Sequence, residues 1–70
     1  MKDLEYLGSV CTAVEVICLG GEWDWEITFV YKGETHTVGG WGCRLKNAAA
    51  EARSIIKAIK AGVEVKHANI

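Results

Sequence analysis

Glu22, Asp24 and Glu26 occupy every second position of one segment. On an extended chain their carboxylates would sit about 6.5 Å apart along one face, with Val30 and Tyr6 nearby, a row of negative charge that imitates a phosphate backbone. Three like charges side by side repel and give nothing to folding, so the row points to a partner-binding face. A second set has the opposite sign. At ~100° per residue, Lys46, Arg53, Lys57 and Lys60 fall within about 60° of helical arc over about 21 Å, with Arg44 just before them, a geometry that could follow phosphates. Trp41 stands in a glycine frame, Gly39-Gly40-Trp41-Gly42. It is hard to bury there and is a candidate interface anchor.

Covalent, metal and nucleotide chemistry find little support in the spacing. Cys11 and Cys18 are seven apart, so on one straight strand they face opposite sides, and the chain has no C-x-x-C pair. His36 and Cys43 meet the same parity obstacle unless a glycine bulge resets it, and a catalytic pair would need a third group to orient it. The Gly39–Gly42 run lacks the spacing and the Lys-Ser/Thr of a phosphate-binding loop. We therefore expect no catalytic residue, no metal, no cofactor and no enzymatic activity.

The elements that carry these residues follow from hydrophobic period. Gly8 to Leu19 is rich in Val, Ile, Thr and Cys and predicts a strand, closed by the Gly20-Gly21 turn. Leu4, Leu7, Cys11, Val14 and Cys18 also fit helical spacing, and the β-branched content favours the strand. From Glu22 to Lys32 alternation is clean, with Trp23, Trp25, Ile27, Phe29 and Tyr31 on the core-facing parity. Lys32-Gly33-Glu34 predicts a tight connection to a third strand through Thr35–Val38. Leu45, Ala48, Ala49, Ala52, Ile55, Ile56 and Ile59 predict a helix capped by Gly62, its small alanines allowing close approach to the sheet. Val63–His67 could add a fourth short edge strand. The expected fold is α+β, a three-stranded antiparallel sheet packed on one C-terminal helix in the order β-β-β-α(-β).

Seventy residues of which half are apolar, with no proline, make a single small domain over 1–70. A chain of this size buries only about 60% of its unfolded surface, which makes a homodimer plausible. The odd cysteine count argues against a secreted disulfide scaffold. No signal-peptide ramp or membrane-length apolar run is seen, and the expected location is cytoplasmic. The formal net charge of −1 conceals halves of −5 (residues 1–35) and +4 (residues 36–70), which predicts one acidic and one basic surface.

The run Lys46-Asn47-Ala48-Ala49-Ala50-Glu51-Ala52, the glycines at 39, 40 and 42, and the strand Trp23-Asp24-Trp25-Glu26-Ile27-Thr28-Phe29 resemble the later two-thirds of a double-stranded-RNA-binding domain, over roughly 14–59. The strand-strand-strand-helix order is also similar to that of HicB-type antitoxins. The first resemblance implies phosphate contacts at the start of the last helix, where Arg44 and Lys46 stand. It also implies an initial helix that reads the minor groove, and with only Met1–Leu7 before the predicted strand that helix is expected to be absent.

Two functions remain open. The first is a protein inhibitor or adaptor acting on nucleic-acid-handling machinery, docking through Glu22, Asp24, Glu26 and Trp41. In size and surface pattern such a molecule is similar to small acidic-faced proteins of phages and mobile elements, anti-CRISPR proteins among them. The second is a nucleic-acid-binding module using Arg44, Lys46, Arg53, Lys57 and Lys60, and an antitoxin-like dimer subunit stands behind both.

Overall fold

The structure, a computed structural model, describes residues 1–62. Its elements run α1 (Lys2–Val10), β1 (Ala13–Cys18), β2 (Trp25–Tyr31), β3 (Glu34–Gly39) and α2 (Leu45–Lys60). The strands form one antiparallel sheet in the order β1-β2-β3. Helix α2 lies over β2 and β3, while α1 packs against α2 and touches β1. The expected α+β class is thus observed, with one helix more than expected.

That helix corrects the reading of the N-terminal third. Gly8–Val10 are helical, and the strand begins at Ala13. Leu4, Leu7 and Val10 follow each other at three-residue spacing, and this seam meets the core, with Leu7 fully buried. Asp3 and Glu5 in the first turn suit the positive end of the helix dipole. At the other end Cys11 is extended and donates its N–H to the Leu7 carbonyl at 2.9 Å, so the chain leaves the helix straight into the sheet. The predicted strand over 63–67 lies outside the described residues.

The alternation of β2 places Ile27, Phe29 and Tyr31 in the core, beside Val38 of β3 and Ala48, Ala49, Ala52 and Ile56 of α2. His36 is buried among them, its ring stacked on Phe29 with centroids 5.2 Å apart. Ala48 and Ala52 are fully buried, so the small inner face of α2 does bring the helix close to the sheet. Gly62 has φ +79 and donates its N–H to the Ile59 carbonyl at 3.1 Å, the left-handed cap expected of it.

Trp23 and Trp25 depart from the core assignment. The sheet starts at Trp25, which is half-buried, and Trp23 is 44% exposed in the β1–β2 loop. At the opposite end of β2, register pairs Tyr31 with Glu34 around Lys32 and Gly33, whose φ values are +51 and +81. This is a two-residue turn of the type that favours Asn-Gly. Lys32 is the only described non-glycine residue with positive φ, so Lys32→Asn should stabilise the fold by about 0.5–1 kcal/mol, read as a rise in the urea midpoint with unchanged slope.

Candidate docking site

Two loops meet beyond the C-terminal end of β1. One is the β1–β2 connection over 19–24, and the other is the β3–α2 connection over 40–44. Trp25 joins them through its backbone: its N–H donates to the Cys43 carbonyl at 2.8 Å, and its carbonyl accepts from Gly40 N–H at 2.9 Å. Its indole N–H donates to the Glu22 carbonyl at 3.0 Å. Cys43 N–H closes the second loop on the Gly40 carbonyl at 3.2 Å. Asp24 completes the junction, with Oδ1 accepting the Gly42 N–H at 2.6 Å.

These bonds hold the backbone on either side of Trp41, which is left 76% exposed. The ring leans over Gly20, where an added Cβ would stand 4.0 Å from Cη2. In the β1–β2 loop, Trp23 carries the Arg44 guanidinium 3.5 Å from the centre of its ring, an exposed cation–π contact worth about 0.5–1 kcal/mol. The junction is therefore a pair of outward tryptophans on cross-braced loops.

The acidic row breaks up on this geometry. Glu22 and Asp24 lie in the loop rather than on the strand, and only Glu26 belongs to β2, on the face away from the helices. Asp24 is engaged with Gly42, and Tyr6 sits far from this face, against α2. Glu22 and Glu26 remain as negative charges near Trp41's loops. Asp24 is a positioning residue whose removal deletes a charge-assisted bond to a backbone N–H. Asp24→Ala should cost about 2 kcal/mol, while Asp24→Asn, which keeps an acceptor, should recover most of it; thermal melts of the two variants compare them.

The basic stripe is also divided. Arg53 pairs with Asp3 at 3.0 Å and lies 4.5 Å from the centroid of the Tyr6 ring. Lys60 donates to the Tyr6 hydroxyl at 3.0 Å, and this bond raises its pKa above the ordinary lysine value. Both residues thus fasten α2 to α1. Of the five basic candidates, Arg44 stacks on Trp23, and Lys46 and Lys57 extend into solvent. Sequence reasoning missed the roles of Arg53 and Lys60 because both depend on α1; the Asp3, Tyr6 and Leu7 spacing was the available signal.

The cysteines stand apart. Cys11 caps α1, and burial pushes its thiol pKa up, away from a nucleophile's range. Cys18 is exposed at the end of β1, and Cys43 lies in the Trp41 loop. Among the described residues no three His, Cys, Asp or Glu side chains gather as metal ligands, and no helix is long and apolar enough to cross a membrane. In comparison with known proteins, the chain matches no family model, no curated protein and no solved structure.

Proposed function

We propose that this is a non-enzymatic binding protein that docks on a protein partner, with Trp41 as the anchor and Glu22 and Glu26 as its acidic rim. The observation that carries this reading is a tryptophan that stays 76% exposed on a loop whose backbone is tied by main-chain and Asp24 hydrogen bonds. Holding a large apolar ring in water does nothing for the fold, whereas a tryptophan carried on a pre-ordered loop enters a partner's pocket with no further cost of ordering the loop. The matching partner surface has an apolar pocket sized for an indole and a basic border, such as the rim of a nucleic-acid-handling groove. An inhibitor or adaptor acting there is the most specific form of the proposal.

Nucleic-acid binding is the second reading, and α1 is the observation in its favour. With that helix ahead of the sheet, the element order α-β-β-β-α comes closer to the RNA-binding-domain resemblance. Charge weighs against it: Glu22 and Asp24 occupy the β1–β2 loop, Asp3 and Glu5 lie on α1, and Arg53 and Lys60 are already engaged. Lys46 and Lys57 would be the phosphate contacts.

Fluorescence anisotropy of labelled duplex RNA and DNA at roughly 50 and 200 mM salt separates the two readings. The docking proposal expects no binding at either salt. Tight, salt-sensitive binding that Lys46→Glu with Lys57→Glu abolishes would replace it with the second reading. Reversing Arg53 is not a clean probe, because the same change breaks the Asp3 pair.

A further inference from the structure

Among the described residues, strand β1 has β2 on one side and no strand on the other. Its sequence, Ala-Val-Glu-Val-Ile-Cys, holds no proline or lysine and a single charge, so it lacks the usual devices that block edge pairing. Leu19 N–H donates to the carbonyl of Asp24 at 2.7 Å. By the antiparallel alternation, Ile17 and Glu15 then bond inward to β2, while Val14, Val16 and Cys18 turn their N–H and C=O groups to the open edge. These three also share the helix-facing parity, since register sets them against Phe29, Ile27 and Trp25. Because α2 covers β2 and β3 rather than β1, Val16 is left 38% exposed there.

We infer that the occupant of this edge is a second copy of the chain, paired antiparallel with the two-fold axis at Val16. That register sets Val16 on its own mate and Val14 on Cys18, so all the outward N–H and C=O groups of the three residues are satisfied and the two exposed valines cover each other. It places Glu15 opposite Ile17. A register one pair away would set Glu15 on Glu15, which like-charge repulsion disfavours. The opposite edge of the sheet is less suited, since β3 ends at Gly39 with φ +84, out of extended geometry. The product is a six-stranded sheet with both pairs of helices on one face. Its two tryptophan loops stand at opposite ends, so the inference does not depend on the docking reading. A six-residue edge spans only about 20 Å, a small interface of the weak, reversible class.

Light scattering coupled to size exclusion, over a wide concentration series, tests this together with amide hydrogen exchange. The expected result is a mass rising toward twice the chain's 7.6 kDa, with the Val14, Val16 and Cys18 amides gaining protection as concentration rises. Val16→Lys, which sets lysine against lysine across the axis, should remain monomeric. A monomer mass throughout would overturn the inference, as would a dimer whose concentration-dependent protection falls on β3 or a folded Val16→Lys variant that still dimerises. Should that variant fail to fold, the exchange pattern of the unaltered protein decides.

Discussion

Trp41→Ala is expected to leave the melting temperature within a degree or two of the parent and to weaken partner binding by at least about 30-fold. Both halves of this result come from the same geometry. The indole is 76% exposed and contributes little buried area, so its loss removes almost nothing from the folded state. The loop that carries it is held through Gly40, Gly42 and Cys43 by main-chain bonds and the Asp24 carboxylate, none of which involves the indole. A hot-spot tryptophan is worth about 2 kcal/mol or more, which corresponds to about 30-fold in affinity. Calorimetric titration of the captured partner against parent and variant, alongside thermal melts, reads both. A fall in stability comparable to the loss of affinity would mean that Trp41 is structural.

Gly39→Ala should have the opposite profile, a large loss of stability arising at the end of β3, where the backbone passes close to Trp25 and α2. Gly39 has φ +84, a left-handed conformation that costs an L-residue about 1–2 kcal/mol. Space is also missing. An added Cβ would run into the Trp25 carbonyl oxygen and stand 3.0 Å from the Ala48 Cβ, so the new methyl is caught between the sheet and the close-packed face of α2. Strain and overpacking together come to about 3 kcal/mol, or roughly 15 °C in melting temperature for a domain of this size. Gly33→Ala is the control, because its φ is +81 but nothing lies within 4 Å of the added atom. It should lose only about 1 kcal/mol. Equal losses in the two variants would show that backbone conformation alone sets the effect.

The parts of the fold that follow a single period were legible in the sequence. The three- and four-residue spacing of Leu45, Ala48, Ala52 and Ile56 marked α2 and its inner face, and the alternation of Ile27, Phe29 and Tyr31 marked β2. The junction of α1 and β1 was not, because Leu4, Leu7, Cys11, Val14 and Cys18 satisfy helical spacing while the segment's β-branched content favours a strand. Tertiary burial decides it: Leu7 enters the core from a helix, and Val14 pairs with Phe29 from a strand. Two errors at the candidate site follow from such non-local choices. The parity that put Trp23 inward holds only while the chain stays in the sheet, and Trp25, tied to Cys43 and Gly40, is where the sheet begins. The basic arc on α2 was correct as geometry, yet Arg53 and Lys60 turn to Asp3 and Tyr6, partners that exist only once α1 is recognised.

The docking claim is tested most directly by placing an aromatic photo-crosslinking amino acid, which keeps a ring at the anchor, at position 41, and separately at position 57, in the protein expressed in its native host. The account expects a discrete protein adduct from position 41 that is lost when Glu22 and Glu26 are both changed to lysine, and no matching adduct from position 57. Crosslinks to nucleic acid, or adducts from position 57 with none from position 41, would contradict it and move the functional surface to the exposed lysines of α2.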